Sequence, residues 1–281
     1  RTRDNLLDLK RSWTQSIALV FGDDSNINGG TSLDEVDLGD GIIVPLYDSS
    51  KVIKDTSYSA RYRANYFHPI NQYQSLEFDF DAQYISYLDH DEYKRETYNI
   101  GLKYSYKLQN DAAITIGANI EPLFFDNAKY RTENGISLGW EQKIDRHHDY
   151  GINTTFLDIT YNELDYLDLK RYKTVAYYRF QHFLQHMLIV SAYVDKNDQD
   201  LEYYDRTVAS ASYVVSYPLM KNISGNTMVS FEKQDYEAPN PTFDDYLDAA
   251  TWYASTQFIY DGFSDQLIRL QFSFQDKNID S

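Results

Sequence analysis

Apolar and polar residues alternate one by one along most of the chain. Between Tyr98 and Leu108, Tyr98, Ile100, Leu102, Tyr104, Tyr106 and Leu108 share one parity; Asn99, Gly101, Lys103, Ser105 and Lys107 share the other. A period of two puts the sets on opposite faces of a strand, whereas a helix would spread both around its circumference. The same alternation sets Tyr58, Ala60, Tyr62, Ala64 and Tyr66 against Ser59, Arg61, Arg63 and Asn65. It recurs with Leu76, Phe78, Phe80, Ala82 and Tyr84, and near the end with Ile268, Leu270, Phe272 and Phe274.

Thirteen segments read this way: 13–21, 56–67, 75–88, 98–108, 112–124, 130–144, 149–161, 171–183, 186–196, 206–219, 225–236, 246–261 and 265–276. Most are about twice the roughly 5–6 residues usual in soluble sheets. They match instead the roughly 9–11 residues a tilted strand needs to cross a bilayer. The links support the same reading. Alternate ones are tight, at Asn71–Gln74, Gln109–Asp111, Asp145–His148, Leu184–Gln185, Met220–Ser224 and Gly262–Ser264. Those between are mostly longer and charged: Gly22–Asp55, His90–Thr97, Glu163–Lys170, Asn197–Asp205 and Glu237–Asp245. Short turns at one end and long loops at the other are the layout of outer-membrane barrels, with the tight turns periplasmic. The first link is long, so strand one runs outward from a periplasmic N-terminus.

The expected fold is therefore all-β, a transmembrane antiparallel up-and-down barrel. Bacterial single-chain barrels have an even strand count. Thirteen outward and inward strands leave the first and last parallel, so about fourteen are expected, the last lying beyond Ser281. Residues 1–12 (RTRDNLLDLKRS) lack the alternation and read as the end of a periplasmic helix or linker; the barrel occupies 13–281. A start without Met or a leader reads as processed or trimmed.

Composition narrows the function classes. A quarter of the residues are charged, which excludes a bundle of apolar membrane helices. Aromatic residues make up 16%, against disorder, and 27 of them are Tyr, suited to strands and to membrane interfaces. With no Cys there are no thiolate sites or disulfides. The net charge of −17 argues against a nucleic-acid partner.

No catalytic or metal constellation emerges, and no cofactor is expected. His182 and His186 have a helical metal spacing but flank a hairpin turn, with no HExxH companion. His147 and His148 sit in a turn beside Asp145 and Asp149. Gly22–Thr31 (GDDSNINGGT) has oxygen donors suited to calcium but not the order of an EF-hand. It reads as an Asx-rich turn closing strand one. If the apolar parity meets lipid, then Arg61, Arg63, Glu77, Asp79, Asp81, Lys103, Glu141, Arg179 and Arg269 face the lumen. Such a mixed lining pairs across strands or lines water; a selectivity filter would need rings of one sign.

A Leu- and Lys-rich segment leads into Trp13, then Ser16–Phe21 and Asp24-Ser25-Asn26-Ile27-Asn28. This run resembles the start of the barrel in the surface lipoprotein assembly modifier family. The resemblance implies a periplasmic tetratricopeptide domain ahead of a barrel of about fourteen strands. It implies help in moving lipoproteins, or soluble haem-carrying proteins, across the outer membrane. The implied partners are outer-membrane lipids and an exported lipoprotein or secreted protein. The alternative is a porin or polysaccharide-export barrel conducting small solutes or glycan; a Tyr-rich β-sandwich lectin is a weaker third reading.

Overall fold

The structure is a computed structural model that describes residues 11–28, 35–37, 43–45, 47, 50–241, 246–260, 262 and 268–279. For residues 35–37, 43–45, 268, 269, 271, 275 and 277–279 it describes the backbone alone. The strands are β1 (Ser12–Asp24), β2 (Glu35–Asp37), β3 (Ile43–Pro45), β4 (Asp55–Pro69), β5 (Gln74–Tyr87), β6 (Arg95–Lys107) and β7 (Ala112–Phe125). They continue as β8 (Ala128–Lys143), β9 (His148–Tyr161), β10 (Leu169–Gln181), β11 (Gln185–Asn197), β12 (Arg206–Met220), β13 (Ile223–Tyr236), β14 (Ala249–Tyr260) and β15 (Ile268–Ile279). Short 3-10 turns lie at Asp91–Tyr93, Asp165–Leu167 and Glu202–Tyr204.

The thirteen long strands among the described residues match the thirteen alternating segments one for one. They follow one another in the sheet in chain order, from β1 and β4 to β15, each antiparallel partner being the sequence neighbour. This up-and-down order is the cheapest way to build a large sheet, because antiparallel neighbours can be joined by short links, and six of the twelve pairs are closed by links of two to four residues. β1 and β15 stand at the two ends of the order. Two features were not foreseen. The link after β1 contains the small hairpin β2–β3. The link between β7 and β8 is only Asp126-Asn127, both with positive φ (46° and 61°). Left-handed backbone at both central positions is the type I′ turn that matches strand twist, and Asn and Asp tolerate it. That turn breaks the expected run of long links on its side. The turn expected at Leu184-Gln185 instead spans residues 182–184, because Gln185 already pairs with Gln181.

Spatial clustering divides the chain into two units. One comprises residues 1–103, 118–134 and 159–165; the other comprises 104–117, 135–158 and 166–281. Within the first, β1, β4 and β5 pair in register, with Ser16 opposite Arg63 and Arg63 opposite Asp81. Its buried apolar side chains include Ala64, Tyr87 and Ile159. Within the second, β10 to β15 form a continuous ladder, with Ala112, Val208, Val214 and Ala249 buried. In both, the large apolar residues of one parity are exposed rather than buried. Ile17, Leu19 and Phe21 in β1, Ile136 and Leu138 in β8, and Phe272 and Phe274 in β15 are all more than half exposed. Water would penalise such a contiguous apolar face at about 25 cal/mol per Å². A lipid environment removes that penalty.

Residues 1–10 of the expected helix or linker lie outside the described residues, and Ser12 is already in β1.

Candidate functional site

The polar parity of the first unit gathers into a cleft of about 580 Å³. Thr14 and Ser16 of β1, Arg61, Arg63 and Asn65 of β4, Asp79 and Asp81 of β5, Asn99 of β6 and Glu121 of β7 line it. Register explains the assembly. Directly opposed residues in an antiparallel ladder project to the same side, so Arg63 meets Asp81 and Asn65 meets Asp79.

The cleft is a network of cross-strand charge-assisted bonds. Asp81 accepts from Arg61 Nε at 2.8 Å and Nη2 at 2.5 Å, and from Arg63 Nε at 3.0 Å. Asn65 Nδ2 donates to Glu77 Oε1 and Asp79 Oδ1, both at 2.6 Å. Lys103 Nζ donates to the other oxygen of Glu77 at 3.1 Å. Asn99 Nδ2 donates to Glu121 Oε2 at 2.6 Å. Six of the charged residues singled out from the sequence, Arg61, Arg63, Glu77, Asp79, Asp81 and Lys103, thus come together here. They form a self-neutralising lattice rather than a ring of one sign. Asn65, Asn99 and Glu121 were missed. The uncharged amides of Asn65 and Asn99 carry no charge signal; Glu121 does, and its carboxylate in β7 was the signal that could have found it.

The other three candidates lie elsewhere. Arg179 of β10 donates through Nε to Asp149 of β9 at 2.9 and 3.0 Å. Glu141 is exposed in β8. Arg269 belongs to β15, and its side chain lies outside the described residues.

A second ionic cluster in the second unit escaped the sequence reading. Asp195 of β11 is fully buried and accepts from Arg171 Nε at 2.6 Å and from Arg206 Nε at 2.8 Å. Arg171 also lies over the Tyr193 ring, 4.5 Å from its centroid. Arg206 further donates to Gln234 Oε1 at 3.2 Å, so the cluster ties β10, β11, β12 and β13. The signal available was a charged residue near the same end of three consecutive strands.

The motif after β1 is an anchor. Trp13 sits half-exposed, with its ring 6.1 Å from that of Tyr66. Asp24 Oδ1 accepts from the Asn26 backbone at 3.0 Å, an Asx turn. Ser25 continues that bend. Ile27 N donates to Ile53 O at 2.9 Å. Asn28 Nδ2 donates to Lys51 O at 2.6 Å, and Asn28 Oδ1 accepts from Ile53 N at 3.0 Å. The Asn28 amide therefore imitates a strand partner and fastens the start of the link to its end. Among the described residues, no three His, Asp or Glu side chains cluster as a metal site.

A sequence model of the surface lipoprotein assembly modifier family matches residues 13–262. The chain belongs to that family. The fold of this family member is shared with solved outer-membrane proteins. The outer membrane channel DcaP of Acinetobacter baumannii is 10% identical, with a TM-score of 0.52, over 97% of this chain and 93% of that one. An outer membrane channel of Pseudomonas putida F1 is 8% identical, with a TM-score of 0.46, over 94% of each chain. A BenF-like porin of Pseudomonas fluorescens Pf-5 is 8% identical, with a TM-score of 0.44, over 95% of this chain and 94% of that one. No curated protein sequence matches. The chain is thus an all-β outer-membrane barrel protein.

Proposed function

We propose that this barrel assists the export of surface lipoproteins, or of secreted proteins, across the outer membrane. The observation that carries this reading is the family match over residues 13–262, the family being described as a surface lipoprotein assembly modifier. In this reading the polar parity faces the lumen. Arg61, Arg63, Glu77, Asp79, Asp81, Lys103, Glu141, Arg179 and Arg269 belong to that lining. The tight turns and the N-terminus face the periplasm. The paired lattice then supports a stiff wall that offers a passing chain a nearly balanced surface at the cleft, with Arg61, Arg63 and Lys103 set against Glu77, Asp79, Asp81 and Glu121.

The second reading is a conduit for small solutes or glycan, favoured by the polar cleft of about 580 Å³. One experiment separates them. The protein is removed from a Gram-negative host, and surface display of a lipoprotein encoded by a neighbouring gene is followed by antibody labelling of whole cells. The purified protein is tested for conductance in planar bilayers. Loss of display without appreciable conductance is the expected result. Unchanged display with a steady open conductance would favour the conduit.

A further inference from the structure

Arginines on the long strands mostly find an aspartate on the neighbouring strand. Arg61 and Arg63 share Asp81, Arg171 and Arg206 share Asp195, and Arg179 takes Asp149. Among the described side chains of these strands two depart from the pattern, Arg95 of β6 and Arg131 of β8. Arg95 is exposed and makes no hydrogen bond or ion pair among the described residues. Arg131 reaches only along its own strand, with Nη2 2.7 Å from Glu133 Oε1. Its Nε is buried and has no partner.

Both exceptions line one cavity of about 240 Å³ in the first unit. It shares Gln83, Thr97 and Glu121 with the larger charged cleft. In the ladder Gln83 stands opposite Arg61, and Ile85, which also lines the cavity, lies two residues nearer the link after β5. The cavity is thus the long-link side of the cleft.

The lining lacks an acceptor. A guanidinium carries five N–H donors and keeps its proton. A buried N–H without an acceptor is costly to hold, and two cations set about one cavity repel. Glu121 is the carboxylate of the lining, and its Oε2 already accepts from Asn99. The lining therefore holds two cations to one anion, in a chain of net charge −17. A planar carboxylate matches the guanidinium fork. Ile85 and Leu123 complete the wall and displace water, which strengthens such a pairing.

We propose that Arg95 and Arg131 form a site for one carboxylate on a group of amino-acid size. Arg95 supplies a free guanidinium, Arg131 donates through the nitrogens that Glu133 leaves open, and Thr97 and Gln83 add neutral hydrogen bonds. The inference goes beyond export and holds under either reading of the function.

The test titrates purified protein in detergent with N-acetylglutamate and with its neutral counterpart N-acetylglutamine, followed by calorimetry. The acid should bind and the amide should not. Arg95→Gln removes the free cation, and Arg131→Lys keeps the charge but loses the fork. Each should bind the acid about tenfold more weakly, the scale of losing one charge-assisted hydrogen bond. Arg146→Gln, which removes a charge from the turn between β8 and β9, should bind as wild type. A capped pentapeptide with one central Glu distinguishes the source of the carboxylate: tighter binding than the free acid assigns a chain in transit, weaker binding a solute, and both support the site. Equal binding of acid and amide overturns the proposal, and this comparison needs only the unaltered protein. So does sulfate binding as tightly as N-acetylglutamate, an affinity unchanged by Arg95→Gln, or an equal loss in Arg146→Gln.

Discussion

Asp195 shows how much one side chain on the polar face carries. Its carboxylate is fully buried between two guanidinium groups, Arg171 and Arg206. Replacing it with Ala leaves both cations without their shared partner, and breaking such a buried pair costs about 3 kcal/mol. Urea titration of vesicle-inserted protein should show that loss, and Asp195→Ala of wild-type stability would refute it. Adjacent residues of β6 test the parity itself. Leu102 is more than half exposed on the apolar side. Leu102→Arg should impair assembly by about 2–4 kcal/mol if the site is near the midplane. At Gly101 an added Cβ would meet Asp79 Cβ at 3.6 Å, an ordinary contact, so Gly101→Ala should fold normally. Equal outcomes at the two positions would reverse the assignment of faces. Gly151 is the opposite case. The Tyr177 ring lies over it, with Cε1 2.5 Å from where a Cβ would stand, so Gly151→Ala must displace the ring and should lower the thermal midpoint.

At the scale of elements, the turn between β8 and β9 is held by a carboxylate. Asp145 Oδ1 accepts the backbone N–H groups of His147 at 2.7 Å and His148 at 2.9 Å. These bonds, led by that from His147, hold its pKa below the ordinary 3.8. A depressed folded pKa means stability that is present above the ordinary value and lost as pH falls through the folded one. Amide exchange protection of His147 and His148 should therefore persist at neutral pH and fade only below about 3.8. Asp145→Asn should already lack part of that protection at neutral pH. Every long strand was legible in the sequence, because an alternating face fixes period and length without knowledge of partners. The hairpin β2–β3 and the Asp126-Asn127 turn were not, since three-residue strands and two-residue links carry too little pattern. For the cleft, parity was readable but register was not. Nothing in the order of residues says that Arg63 stands opposite Asp81 and Asn65 opposite Asp79.

The whole molecule repeats one rule over thirteen strands, so its faces should separate in a single survey. Single Cys variants along β6 and β10 should alternate: Ile100 and Tyr178 reacting with a lipid-soluble maleimide, and Lys103 and Lys173 with a charged one. A strand that labels without alternation would remove it from the wall. The anchoring amide of Asn28 bears on how such a sheet comes together. Most neighbouring strands are joined by a few residues, but β1 meets β4 only after residues 25–54 have been spanned. Closing that loop rather than a four-residue turn costs about 2 kcal/mol more in chain entropy. The first strand is thus the slowest to find its neighbour, and the bonds from Asn28 to Lys51 and Ile53 act as a latch. Once set, they leave β1 tethered close to the register at which it zips onto β4. In refolding experiments Asn28→Ala should slow the docking of Trp13, seen in its fluorescence, while the pairing of β10 with β11 proceeds at its usual rate.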